Sequence, residues 1–546
     1  RNAYDIALHE SGELFSFDAD MEWDVGAPWY RPTRICHATS GSEFGWRSGT
    51  GKWPASYPDS LPAVLDLGTG SPTGITFGYG AKFPAQYQQA LFACDWSFGK
   101  LYAIHLKADG ATFRGMREEF LTGAPLPLTD VVIHPDDGAM YFAIGGRGTK
   151  SALYRVRYVG NESIAKPSPA TRTAAASLRR SLERFHGRVD SDAVDMAWPH
   201  LDHADRFVRF AARTAVEWQP VGSWQQRSLE ETRPQALLEA MVALARHGDA
   251  DDESLPPEML AALAQIDWHG LSHLQKVSLL RAYGLIVVRL AALGDDQRAA
   301  LADRINAWYP AGDGELNQEL CRMFVRPAGP DVVAKTLTLL EDGLSQEEQI
   351  HYALALRNSL ADASNDEQRR YFQWFRNAGS IRGGHSLRMF LKNIRNEAME
   401  SMDETARDAL ADLLVPLDDI AFAESAPPRP FVKEYTTDEV AHALDRGLAD
   451  ADRQRGRRLF GAAQCAKCHR LGNEGGATGP DLTTLALRFG SRDIAEAIVE
   501  PSKVISDRFR AITVELESGQ ILTGGVGNLR RNSFDLVTDM LAPGEL

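Results

Sequence analysis

The chain has 546 residues, 44% apolar and 24% charged, with 59 Lys and Arg against 74 Asp and Glu, for a net charge of −15. Such a length exceeds one hydrophobic core and calls for two to four domains. The acidic balance excludes nucleic acid, which wants basic stripes, and no apolar run approaches the roughly 20 residues that span a bilayer.

Residues 1–160 are all-β in character. Short apolar runs such as Tyr4–Leu8, Thr73–Phe77 and Thr129–Ile133 alternate with turns rich in Gly, Pro, Asp and Asn. Each run is followed by a similar phrase, first Gly12-Glu13-Leu14-Phe15, then Gln89-Ala90-Leu91-Phe92, then Gly138-Ala139-Met140-Tyr141. That recurrence predicts a partial β-propeller of three blades, with further blades expected before Arg1 or supplied elsewhere. Within it Asp18, Asp20, Glu22 and Asp24 alternate, so an extended segment would aim all four carboxylates to one side. Such a row suits calcium or sugar hydroxyls; the bland alternative is a loop whose carboxylates cap backbone N–H groups. Arg31, Arg34 and His37 lie close together in sequence and could line an anionic or sugar site, although ion pairing and a structural histidine are the commoner fates. Trp23, Trp29, Trp46 and Trp53 suit either sugar stacking or core wedges. Cys36, Cys94 and Cys321 are scattered and odd in number, which points to buried thiols and away from a disulfide framework.

Residues 166–420 change character. Ala, Leu, Arg and Glu dominate, and apolar residues recur at helical spacing, as in Leu237, Leu238, Met241 and Val242, or Leu279, Leu280, Tyr283 and Ile286. Helices separated by short breaks predict an α-solenoid of HEAT-like helix pairs, with an irregular bundle as the alternative. His269 and His273 have the i, i+4 spacing of a helical metal pair, weakened by Gly270 between them. Pro427, Pro428 and Pro430 mark a linker over 421–436.

The last region, 437–546, carries the chemistry. In Cys465-Ala466-Lys467-Cys468-His469 the C-x-x-C-H spacing is that of c-type haem attachment: two thiols bond the porphyrin, and the adjacent imidazole ligates the iron. A zinc site would need further Cys or His, and none occurs from Arg470 to Leu546. Gly456, Leu459 and Phe460 share a face of a preceding helix, where Gly456 would permit a close helix crossing. A helix around Ile494–Glu500 and a hairpin, Ala511–Leu516 and Ile521–Thr523, should follow. The phrase Gly479-Pro480-Asp481-Leu482 resembles the cytochrome c pattern, in which the proline carbonyl fixes the proximal histidine; the resemblance gives that role to Pro480 and haem-edge packing to Leu482.

The fold class expected is therefore multidomain, a partial β-propeller followed by an α-solenoid and a small α-helical cytochrome c-like domain with an appended β-hairpin. These parts, in this order, with Asp18–Asp24, Gly45–Arg47, Gly475–Leu482 and Glu500–Lys503, resemble the large multidomain proteins of planctomycete and verrucomicrobial bacteria. Those join a glucose/sorbosone dehydrogenase-like propeller, helical repeats and a haem domain. The resemblance implies pyrroloquinoline quinone (PQQ), often with calcium, and oxidation of a sugar-like alcohol or aldehyde, with electrons passed to haem c and on to a respiratory cytochrome or the quinone pool. It implies a quinone contact for Arg1 and a methionine as sixth iron ligand, for which Met540 is the candidate. It names no catalytic base in this chain. The alternative reading is a non-catalytic glycan- or protein-binding propeller on a helical scaffold, with the haem as an electron relay. Covalent haem attachment implies a periplasmic or otherwise extracytoplasmic location, membrane association included, and the haem domain is expected to be truncated at its C-terminus.

Overall fold

The computed structural model describes residues 3–123, 126–146, 151–168, 171–323, 330–343, 345–361, 363–378, 381, 383–384, 386–413, 433–446, 451–471, 474–475, 479–480, 482, 485, 489–505, 511–529 and 534–538. The linker expected at 421–436 lies largely outside them, as do Arg1 and Met540.

Three antiparallel up-and-down sheets follow one another. Strands β1 (Ile6–Leu8), β2 (Leu14–Asp18), β3 (Thr33–His37) and β4 (Leu65–Gly68) form the first, in chain order. The second holds β5 (Pro72–Phe77), β6 (Leu91–Asp95), β7 (Lys100–Asp109) and β8 (Thr112–Thr122), and the third holds β9 (Leu128–Ile133), β10 (Met140–Ile144) and β11 (Ala152–Val156). Among the described residues no sheet closes on itself. Register places Phe15 opposite His37, Phe92 opposite Ala103 and Phe142 opposite Val131. The first and second sheets share a core of Phe15, Phe17, Ile35, Phe77, Leu91 and Ile104. A second core of Phe92, Cys94, Leu101, Met140 and Phe142 joins the second sheet to the third. All five residues of β6 are buried, which explains why Leu-Phe-Ala-Cys reads as an unbroken apolar run: covered on both faces, the strand has no reason to alternate. Each fully buried phenylalanine contributes about 1.5–3 kcal/mol.

Helices take over at Ala174–Glu183 and continue through Arg206–Glu217, Pro234–His247, His273–Arg289 and Gly314–Met323. The change of secondary structure near residue 160 is not a boundary between compact units. Residues 1–22, 28–342 and 351–363 form one unit, and 23–27, 343–350 and 364–546 form the other. Within the first unit the sheets hold the helices through polar side chains. The Asp205 carboxylate caps the helix Arg206–Glu217 by accepting from Phe207 and Val208, and also accepts from the Ala111 N–H of the β7–β8 turn at 2.6 Å. Gly110 must be glycine there: its φ is +59° and a Cβ would lie 2.1 Å from that carboxylate. Asp59, on the loop before β4, receives the Arg281 guanidinium at 3.0 and 2.7 Å. From the same loop the Tyr57 hydroxyl donates to Glu319 at 2.6 Å, and the Pro58 carbonyl accepts from Arg213 at 2.7 Å. These partners lie more than 150 residues apart in sequence, so no local pattern announces them.

In the second unit the helices Asn365–Asn377 and Leu387–Glu400 precede the C-terminal region. There a capping box of Thr436 and Glu439 starts the helix Thr437–Asp445. It packs on the helix Ser491–Val499, tied by Arg492 to Asp438 at 2.6 Å and Thr437 to Glu500 at 3.0 Å. Between them stand the helix Arg453–Ala462 and a short ladder of β12 (Arg470–Leu471) with β13 (Glu474–Gly475). The close helix crossing expected at Gly456 does not form among the described residues, because a Cβ there would meet nothing within 4 Å. The expected hairpin is a three-stranded sheet: β14 (Ala511–Glu515) and β15 (Ile521–Leu529) are joined by β16 (Phe534–Val537), with Val514 opposite Leu522 and Val526 opposite Leu536.

Candidate functional site

The helix Arg453–Ala462 begins at Asp452, whose carboxylate accepts the Arg455 N–H at 2.9 Å, and stops three residues before the first thiol. Gln464 takes a left-handed conformation, φ +62°, and its N–H donates to the Gly461 carbonyl at 2.9 Å. That reversal drops the chain into a single 3-10 turn, Cys465–Lys467. The Cys465 carbonyl accepts from Cys468 N–H at 3.2 Å and from His469 N–H at 2.9 Å, so one turn fixes both thiols and the imidazole. Ala466 is buried beneath the turn, while Cys465 and Cys468 are partly exposed and free.

His469 is oriented from the other side of the loop. Its Nδ1 lies 3.0 Å from the Pro480 carbonyl oxygen. A carbonyl only accepts, so Nδ1 carries the proton and Nε2 keeps its lone pair for a metal. The loop is closed by the Gly479 N–H, which donates to the Cys468 carbonyl at 2.7 Å. A Cβ on Gly479 would sit 2.9 Å from both Cε1 and Nδ1 of the imidazole, so a side chain there would fill the space the ring occupies. The donor set fits a covalently held haem: two thiols within one turn, and one imidazole with its tautomer fixed and Nε2 left available. Leu482 opens a turn, its carbonyl accepting from Leu485 N–H at 3.0 Å. The sequence pointed to Cys465, Cys468, His469 and Pro480; the approach of Gly479 to the ring had no signal beyond the glycine itself.

The other candidate residues do not gather into a site. The carboxylate row is not extended, because β2 ends at Asp18 and Glu22–Asp24 is a 3-10 turn. Asp18 pairs with Arg34 at 3.1 Å and accepts from Trp46 Nε1. Asp20 accepts from the Tyr30 hydroxyl at 3.2 Å and the Gly70 N–H at 3.3 Å. Burial, with help from Glu22, pushes its carboxyl up to about 8. Glu22 is exposed and Asp24 is buried. A calcium cluster at these four is therefore corrected, and among the described residues no three His, Cys, Asp or Glu side chains gather to hold a metal ion. The i, i+4 pair is corrected too: His269 sits in the 3-10 turn Trp268–Gly270, whereas His273 opens the next helix and pairs with Glu315 at 2.9 Å.

Arg31, Arg34 and His37 take different hydrogen-bond partners. Arg31 donates to the carbonyls of Pro28, Tyr30 and Trp53. His37 is buried with Nε2 2.9 Å from Glu13 and Nδ1 2.9 Å from Thr112, stacked on Phe15. Glu13 in turn receives Arg179 at 2.7 Å. Burial alone would raise the Glu13 carboxyl, but His37 and Arg179 hold it at about 2. Trp29 is buried, Trp23 is 40% exposed, and Trp53 lies beneath the guanidinium groups of Arg47 at 3.6 Å and Arg281 at 4.1 Å. Cys36, Cys94 and Cys321 are buried free thiols.

No helix among the described residues is long and apolar enough to cross a membrane. No curated protein matches the chain in sequence. A solved oxidoreductase (glucose dehydrogenase) of Thermus thermophilus is similar at 20% identity over 28% of this chain and 45% of that one, with a TM-score of 0.24. The chain thus spans under half of that structure, and so loose a superposition carries no argument. Residues 453–511 match the cytochrome c family, a segment that holds the thiol turn, His469 and Pro480. This chain therefore bears a cytochrome c domain towards its C-terminus, and that family implies covalently bound haem c and an electron-transfer partner.

Proposed function

We propose that this protein transfers single electrons through a haem c held by Cys465 and Cys468 as thioethers and by His469 Nε2 as axial ligand. The observation that carries the reading is the His469 Nδ1 to Pro480 oxygen contact of 3.0 Å inside the segment that matches cytochrome c. Reversible one-electron redox is the chemistry a bound haem supplies. The chain's own residues orient the imidazole, raise its basicity through the Pro480 carbonyl, and fix the spacing of the two thiols. Leu482 packs at the haem edge, and Met540 is the candidate sixth ligand. The test is the alkaline pyridine spectrum of protein matured in a haem-ligating host. A thioether-type band at one haem per chain is expected, lost when both Cys465 and Cys468 are replaced by Ala. A vinyl-type spectrum for the unaltered chain would overturn the reading.

The wider reading is an extracytoplasmic quinohaemoprotein dehydrogenase that oxidises a sugar-like alcohol or aldehyde with PQQ, Arg1 contacting the quinone. It is supported by the order of the parts: up-and-down sheets of four, four and three strands, read as propeller blades, then helices read as HEAT-like pairs, then the cytochrome c domain. The relay reading is favoured by a different observation. Asp18, Asp20, Arg31, Arg34 and His37 are all engaged with protein partners. Adding PQQ and calcium with a panel of aldoses separates the two. Substrate-dependent change in the haem bands supports the dehydrogenase, and silence with dithionite-reducible haem supports the relay.

A further inference from the structure

A small cleft in the first unit lies where the loop before β4 meets three helices. Ser56 and Pro58 of the loop form one wall, Arg206 and Arg209 of the helix Arg206–Glu217 a second, and Gln235 and Glu239 of Pro234–His247 a third. Leu274 and Ser278 of His273–Arg289 complete the lining, around a volume of about 270 Å³ that is partly open to solvent. Leu274 is exposed and offers an apolar wall beside two guanidinium groups.

The two cations are not balanced alike. Arg209 reaches Glu239 through Nε at 3.4 Å and bonds the His203 and Ala204 carbonyls through Nη1. Arg206 forms no ion pair among the described residues. Its Nη2 donates to the carbonyls of Tyr57 and Ser60, and Nε and Nη1 have no acceptor there. The carboxylates nearby are engaged elsewhere. Glu239 takes Arg213 at 2.6 Å and Gln235 at 3.3 Å, Asp59 takes Arg281, and Asp205 turns to Ala111 and the N–H groups of its own helix. Burial draws the Arg206 guanidinium down to about 10, with Glu239 opposing the fall and Arg209 and Arg213 adding to it. A half-buried cation with N–H groups to give and no counterion is costly, and an anion in the cleft removes that cost.

We propose that this cleft binds a short-chain monocarboxylate, its oxygens on the guanidinium groups of Arg206 and Arg209 and its alkyl stem against Leu274. The class follows from charge and size. Two arginines line the cleft with one carboxylate, Glu239, already paired to Arg213, which leaves a place for a single negative charge. Ser278 gives its hydroxyl proton to the Leu274 carbonyl at 2.8 Å, and Ser56 gives its own to Glu315 at 2.5 Å, so neither donates to a larger oxyanion. The volume lies just below the usual range for small-molecule pockets and suits a stem of about two to four carbons. None of these residues belongs to the haem attachment loop, so the site stands whether or not haem is carried.

The test uses the full chain and sodium propionate as the probe, with sodium chloride and sodium phosphate at equal ionic strength and pH as controls. In the first measurement, arginines are labelled briefly with phenylglyoxal and mapped by peptide mass spectrometry. Arg206 should be labelled in chloride, and its labelling should fall about tenfold once propionate is about ten times its dissociation constant. Arg298, an exposed arginine paired with Asp295, should be labelled equally in all three salts. In the second, propionate should raise the melting temperature saturably by about 2 °C, and Arg206→Gln should abolish the rise. Leu274→Ala should weaken the effect of propionate and spare that of formate, which has no stem. Labelling of Arg206 that propionate leaves unchanged means that water fills the cleft, and it overturns the proposal without need of a variant. Equal protection by phosphate overturns the carboxylate class, and an equal melting rise in Arg206→Gln overturns the site.

Discussion

Gly479→Ala tests the geometry on which the haem reading depends. The added Cβ would lie 2.9 Å from Cε1 and Nδ1 of His469 and 3.1 Å from the Cys468 carbonyl oxygen. Separations under 3 Å cannot be relieved at the methyl group, so the ring must turn or the loop must open. Either response breaks the 3.0 Å contact between Nδ1 and the Pro480 oxygen. A hydrogen bond of this kind contributes about 1 kcal/mol, and for a one-electron couple a tenfold change, about 1.4 kcal/mol, is about 59 mV. Only the difference in that bond's strength between ferric and ferrous iron moves the potential, so the shift expected is up to about 40 mV. Its sign is upward: a donated Nδ1–H makes the imidazole more basic and favours ferric iron, so losing it favours the ferrous state. The assay is spectroelectrochemical titration alongside the pyridine spectrum. Covalent haem should stay at one per chain because both thiols are untouched. A potential within about 10 mV of the unaltered protein, at full haem content, would refute the role given to Pro480.

Three further outcomes concern the first unit. Asp59→Asn should destabilise it by about 3 kcal/mol, because it breaks a pair whose carboxylate is fully buried and leaves the Arg281 guanidinium uncompensated against Trp53 and Tyr57; urea denaturation followed by tryptophan fluorescence reads it, and a loss below about 1 kcal/mol would contradict the pairing. Asp20→Asn should raise the melting temperature at pH 8. Its carboxyl is raised to about 8 from an ordinary 3.8, so the folded state binds more protons across that window and loses stability as pH rises through it. The variant should therefore gain nothing below pH 4, and an equal gain at both pH values would sink the argument. Acid should weaken the fold in two stages. His351, lowered by burial to about 3 from 6.5, gives stability that is lost as pH falls through that interval. Glu13 contributes another loss between about 4.5 and about 2. His351→Gln should flatten the upper part of the profile of melting temperature against pH, leaving the lower part intact.

What could be read from the residues alone was chemistry whose geometry is local. Cys465, Cys468 and His469 fall within one turn, so spacing along the chain is spacing in space, and the turn at Cys465–Lys467 needs no distant partner. Strand and helix character were legible for the same reason, since alternation and helical periodicity are properties of neighbours. Only the tertiary structure decided where distant polar groups went. A β-strand ending at Asp18 broke up the carboxylate row, and Tyr30 and Gly70 took Asp20. Glu13 found Arg179, and Asp59 found Arg281. No periodicity encodes such pairs. Each forms because burying a charge without a partner costs more than the chain can bear, and the partner is whichever element the packed core brings within reach.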